Sequence, residues 1–166
     1  MASLNRGKRE KLFNLMVFFG ALKRRSHSCN SLISAMAHLR TSVERINSDE
    51  NSKFTHILSH ATKVPGLIFL SGQTPLNKNG RLVEGGIKEH TAQCIENLGN
   101  VLSAAGSSWE KVVKVNVYLK DMDNFGAMNE VYEKLLPSPK PARTCIQAGR
   151  LPNDVDVEIE AIAATC

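Results

Sequence analysis

The sequence predicts a two-layer α+β domain, with two helices on one face of a mixed sheet. Three observations carry this. Two segments repeat apolar residues at helical spacing, Ile87–Ala105 and Phe125–Leu135. Short runs with strand character stand before, between and after them. Glycine, asparagine and proline clusters punctuate the joints. The resulting order is strand(s), helix, strand, helix, strand, strand, which suits helices segregated to one side of a sheet.

Each element has its own signal. Val64 to Ser71 holds the run Leu67-Ile68-Phe69-Leu70, ended by Ser71-Gly72, and reads as one buried strand. Leu76 to Gly80 reads as a turn, because Asn79-Gly80 tolerates positive φ. Ile87, Thr91, Cys94, Ile95, Leu98, Val101, Leu102 and Ala105 share one helical face, and Gly106 is placed to close that helix. Val113, Val115, Val117 and Leu119 alternate with Lys114, Asn116, Tyr118 and Lys120 as a half-buried strand. Asp123 is the expected cap of the second helix, whose face carries Phe125, Met128, Val131, Tyr132 and Leu135. Pro137, Pro139 and Pro141 stop it and impose an extended connection. Arg143 to Ala148 is a strand, Leu151 to Asp154 a turn, and Val155, Val157, Ile159 and Ala161 alternate with Asp156, Glu158, Glu160 and Ile162 in the last strand. The face bearing Val113, Val115, Val157 and Ile159 is expected under the helices. The other face, with Lys114, Asn116, Tyr118, Asp156, Glu158 and Glu160, would meet either solvent or other subunits.

A chain of 166 residues suffices for one such domain with a proper core. The formal charge of +5 is all in residues 1–50, which hold 9 Lys+Arg against 4 Asp+Glu. Residues 51–166 hold 12 against 12, so that part has no net pull toward phosphate, and no nucleic-acid partner is expected. Residues 1–50 therefore read as a basic leader and residues 51–166 as the domain. The leader's apolar run, Leu12 to Leu22, is too short to span a bilayer, which takes roughly 20 residues, so no membrane partner is expected. Lys23-Arg24-Arg25 after it does not suit a secretory cleavage site, whereas a basic, serine-containing leader suits a mitochondrial transit peptide. The expected location is the mitochondrial matrix, or the cytosol if Met36 starts the chain. Cys29, Cys94, Cys145 and Cys166 form no C-x-x-C pair, and no histidine follows His90, so neither a disulfide framework nor a metal site is expected.

The chemistry-bearing residues lie near the C-terminus, in Pro141-Ala142-Arg143-Thr144-Cys145 and in Glu158-Ile159-Glu160-Ala161-Ile162-Ala163. A guanidinium can fork onto a carboxylate, and a glutamate can orient a water. Read as neighbours on adjoining strands, Arg143 and Glu158 point to chemistry on a small acid, with Glu158 kept ionised by the arginine. Cys145 has no base placed beside it and reads as a pocket-lining thiol rather than a nucleophile. Cys94 belongs to the buried helix stripe, and His56, His60 and His90 show no informative spacing.

Several blocks occur together in one order. They include Leu67-Ile68-Phe69-Leu70-Ser71-Gly72-Gln73-Thr74-Pro75, Asn97-Leu98-Gly99-Asn100-Val101-Leu102, Val112 to Val117, Asp123-Asn124-Phe125 and Asn129-Glu130-Val131-Tyr132. With the two C-terminal blocks, the stretch from Phe54 to Ala164 resembles the RidA/YjgF family of enamine/imine deaminases, and the basic leader is similar to that of fungal mitochondrial members. The resemblance implies a chorismate-mutase-like β-α-β-β-α-β domain forming a homotrimer with clefts between subunits. It implies hydrolysis of 2-aminoacrylate or 2-iminopropanoate-type intermediates to 2-oxo acids and ammonia, without a cofactor. Arg143 matches the arginine that grips the carboxylate, and Glu158 the glutamate that positions water. Ser71, Gly72, Asn129 and Cys145 match cleft-lining positions.

One stretch departs from the family pattern. Where members usually carry Gly-Pro-Tyr-Ser-Gln-Ala, this chain has His56-Ile57-Leu58-Ser59-His60-Ala61, so Leu58 replaces a cleft tyrosine. That leaves two other functional classes open: a trimeric small-carboxylate binder without turnover, and an RNA-directed translation inhibitor.

Overall fold

The computed structural model describes residues 42–165; the segment expected to carry a targeting signal lies outside them. The described chain forms strands β1 (Glu44–Ile46), β2 (Ala61–Val64) and β3 (Leu67–Gln73), helix α1 (Ile87–Ala104), β4 (Val112–Leu119), helix α2 (Phe125–Leu135), β5 (Ala142–Gln147) and β6 (Val157–Ala164). This is the order the periodicity predicts, and it describes the chain more closely than the family shorthand. The strands make one sheet in the order β1-β2-β3-β6-β4-β5. Every neighbouring pair is antiparallel except β4 and β5 at one edge, which are parallel. A parallel pair needs a long crossover, and α2 with its proline-rich exit supplies it.

Both helices cover one face of the sheet. Cys94, Leu98, Val101 and Leu102 of α1 and Met128 of α2 are fully buried with Ile68, Val115, Val117, Val157 and Ile159 beneath them. Burying such aliphatic side chains contributes on the order of 1.5–3 kcal/mol each before entropy is set against it. Gly106 takes φ +71, as expected of the residue after α1, and Ala105 N–H donates back to the Val101 carbonyl.

The structure corrects the sequence reading of individual elements. Val64 to Ser71 is not one strand: Gly66, at φ +90, turns the chain, and β2 folds back on β3 with Val64 opposite Leu67. The apolar run is then buried on one face only, with Ile68 and Leu70 inside and Leu67 and Phe69 39% and 43% exposed. Val113 is also exposed, because the pairing with β6 shifts between Val112 and Lys114 and the extra residue turns it outward. Asp123 does not cap α2; Asp121 accepts from the Asp123 N–H and starts a 3-10 turn that feeds the helix. The sheet starts upstream of residue 51, because β1 pairs with β2.

Buried histidine and asparagine side chains explain that last point. His60 Nδ1 accepts from Ser48 N–H, its Nε2 donates to the Ser52 carbonyl, and its own N–H donates to Asn47 Oδ1. Asn51 Nδ2 donates to Gln73 Oε1 and to the Asn97 carbonyl. These bonds tie residues 47–52 to the domain, and His90 joins the Val83 carbonyl to Asp156 in the same manner. Neither histidine had a spacing signal, because each bridges segments distant in sequence.

Candidate functional site

The expected site residues form two groups on opposite faces of the sheet. Arg143 is level with Val115 of β4, and Val115 faces the helices, so Arg143 rises on the helix side. There α2 presents Phe125, Asn129 and Tyr132, spaced to share one helical stripe. Arg143 Nη1 donates to Asn129 Oδ1 at 2.6 Å. The guanidinium lies 4.6 Å from the centre of the Tyr132 ring and 5.7 Å from that of Phe125, close enough for cation–π attraction. The rest of the five-donor fork has no hydrogen bond to protein among the described residues. Cys145, two residues on, shares this face and is half-buried. Burial raises its thiol pKa, only partly offset by the Arg143 charge. A thiol held protonated suits a wall rather than a nucleophile.

The second group lies beyond β4. Glu158 is level with Tyr118, out of phase with buried Ile159, so its side chain stands on the face away from the helices. It packs on Gly72, where an added Cβ would overlap the Glu158 Oε1 and lie 2.8 Å from its Cδ. Ser71 beside it donates from Oγ to the Ser59 carbonyl at 2.8 Å, which draws in the segment containing Leu58. Burial, and then the charge of Glu160, raise the Glu158 pKa above the ordinary carboxylate value. Glu160 itself accepts at one oxygen from Asn116 Nδ2 and Tyr118 Oη, each at 2.8 Å.

This arrangement corrects the expectation that Arg143 and Glu158 sit side by side. The sheet order places β4 between their strands, and the pleat sends them to opposite faces. Glu158 therefore has no arginine holding it ionised among the described residues; its carboxyl is pushed the other way. Within one chain Arg143, Asn129 and Cys145 come together, as do Gly72, Ser71 and Glu158, but the two sets do not. Sequence reasoning also missed Phe125 and Tyr132 as the platform under Arg143. Their spacing with Asn129 was legible, but aromatic residues on an amphipathic helix read first as core.

Gly72→Ala is expected to push the Glu158 carboxylate out of place. A crystal structure of the variant and its thermal melting check it: the carboxylate should be displaced while the melting temperature changes little, because only the end of a flexible side chain has to move.

The fold and these two groups define an α+β protein with an arginine stacked on α2 on one sheet face and a half-buried glutamate on the other. A family model described as Endoribonuclease L-PSP matches residues 51–165, and the chain belongs to this family, also called RidA/YjgF. The mitochondrial protein mmf2 of Schizosaccharomyces pombe is 53% identical over 109 residues, covering 64% of this chain and 86% of that protein. A mouse 2-iminobutanoate/2-iminopropanoate deaminase is 44% identical over 106 residues, covering 63% and 78%. Among solved structures, that of the yeast protein YEO7 superposes with a TM-score of 0.73 at 43% identity, covering 75% of this chain and all of the other.

Proposed function

We propose that this protein hydrolyses 2-imino acids to 2-oxo acids and ammonia, in clefts between the subunits of a homotrimer. The observation that carries the reading is the separation just described. Arg143 has an open fork on one face, Glu158 stands half-buried on the other, and each is half of a site. A second copy of the chain laid against the sheet can bring one subunit's Arg143 to another's Glu158.

The chemistry needs little beyond position. Arg143 binds the substrate carboxylate through paired hydrogen bonds. The protonated imine is already electrophilic, so water held by ionised Glu158 adds to its carbon while the glutamate takes the water's proton. That proton passes to the nitrogen, the C–N bond breaks to release ammonia, and the carbinol O–H gives its proton to Glu158 as the carbonyl forms; the ammonia then takes this proton and departs as ammonium. Iminium plus water thus becomes 2-oxo acid plus ammonium, with no net oxidation and no group left on the protein. Holding the carboxylate and the water in line is the main contribution. Leu58 in place of a cleft tyrosine removes a hydroxyl from the proposed cleft wall.

An amino-acid oxidase coupled to the purified protein tests the activity. Oxo-acid and ammonia release from alanine-, leucine- and methionine-derived imines should exceed the buffer rate; equal rates for all of them would overturn the deaminase reading. Saturable binding of 2-oxobutanoate without turnover would favour the carboxylate-binding alternative. The family description raises an RNA-directed role, which the 12 Lys+Arg and 12 Asp+Glu of residues 51–166 do not support. Salt-sensitive RNA binding by residues 42–166 would reinstate it.

The trimer has its own test. Leu67 and Phe69 are exposed in the single chain on the face that carries Glu158. Phe69→Asp should therefore yield monomers in sedimentation and abolish turnover, whereas a variant that stays trimeric would place the interface elsewhere. The basic leader and the mitochondrial names of the fission-yeast relatives support a mitochondrial location. Imaging a fusion with and without residues 1–41 checks it.

A further inference from the structure

Beside Arg143 a cavity of about 510 Å³ is lined by Asn129, Tyr132, Glu133, Lys140, Pro141 and Arg143. Its second cation is fixed in place. Lys140 Nζ donates to the Glu133 carbonyl at 2.7 Å and to the Leu136 carbonyl at 2.6 Å, so the ammonium sits on the C-terminal end of α2. That is where the helix dipole favours positive charge. Two of its three N–H groups are used, and one remains for a ligand. Pro141 links Lys140 to the strand of Arg143, which limits how far the two cations can drift apart. Glu133 is the cavity's one carboxylate, so the lining carries a formal charge of +1.

We propose that Lys140 is a specificity residue that selects substrates bearing a second carboxylate, so that 2-imino dicarboxylates are preferred over 2-imino monocarboxylates. The inference rests on Arg143 being the clamp for the first carboxylate. Arg143 takes the group next to the imine carbon, and the free N–H of Lys140 takes the side-chain carboxylate. An ammonium already held by two carbonyls loses little freedom on binding, so the contact is not offset by ordering a flexible lysine. Selectivity then comes from one charge-assisted hydrogen bond that a monocarboxylate cannot make.

Full-length protein is assayed with 2-iminosuccinate made from aspartate and 2-iminopropanoate made from alanine by amino-acid oxidases. Wild type should show kcat/KM about tenfold higher for the dicarboxylate, and Lys140→Met should bring that ratio to about one. Equal wild-type values, or a variant that lowers both substrates with the ratio unchanged, would overturn the assignment and leave Lys140 as a helix cap only. Should Lys140→Met fail to fold, the wild-type ratio alone decides. Should wild type hydrolyse neither imine, the deaminase reading fails separately. Calorimetry then decides the cavity: 2-oxoglutarate binding about tenfold tighter than 2-oxobutanoate supports the assignment, and equal affinities reject it.

Discussion

Arg143→Ala is expected to cut kcat/KM by about 2–5 kcal/mol of transition-state binding, between roughly thirtyfold and several thousandfold. The arginine is the proposed clamp, and a substrate held at one point instead of two loses its alignment with water. The chain itself should still fold. Arg143 lies at the sheet edge above α2, and its loss removes one hydrogen bond to Asn129 and the stacking on Tyr132 and Phe125. Those are contacts worth about 1 kcal/mol apiece. Arg143→Lys keeps the charge but not the planar fork, so it should recover only part of the rate. Coupled-assay kinetics beside thermal melts separate the two effects. If Arg143→Ala is as active as the parent, the clamp is elsewhere.

Glu158→Gln should do two opposite things: abolish most turnover and raise the melting temperature. The glutamate is the proposed proton acceptor, and losing such a group costs about 10²–10⁴ in rate. Its raised pKa means that the fold favours the protonated form, so ionised Glu158 destabilises the protein at neutral pH. Removing the charge relieves that cost, and the gain should vanish as pH falls through the glutamate's titration, where wild type becomes neutral as well. Wild-type turnover should decline over the same range, at higher pH than an unperturbed carboxylate would give. A Glu158→Gln protein that is inactive and less stable at all pH values would point to a structural carboxylate instead. Mixing this variant with Arg143→Ala adds a sharper test. If the clefts are shared, co-expressed chains place an intact arginine opposite an intact glutamate in about one quarter of clefts, and activity returns. No recovery would mean that both groups act within one chain.

The legible parts of this protein were those set by local pattern. The stripe from Ile87 to Ala105 could only be a helix with one buried side, and it is. The alternation from Val157 to Ala163 gave the correct inward and outward residues of β6. Asn129 and Arg143, picked out from separate blocks, do meet. The errors share one physical cause, which is that strand parity and strand neighbours are not local properties. One shifted residue at Val113 turned a side chain over, and one glycine, Gly66, made a hairpin out of an apparent single strand. His60 and Asn51 became anchors only when chain segments far apart in sequence closed around them.

By itself, the sequence determined the helices, the alternation of the last strand and the family, and it singled out Arg143 and Glu158. Tertiary structure alone decided where these two groups point. Its sheet order put β4 between them, and the pleat turned them to opposite faces. Hydrogen-bonded pairing between distant strands sets that order, and no spacing along the chain encodes it.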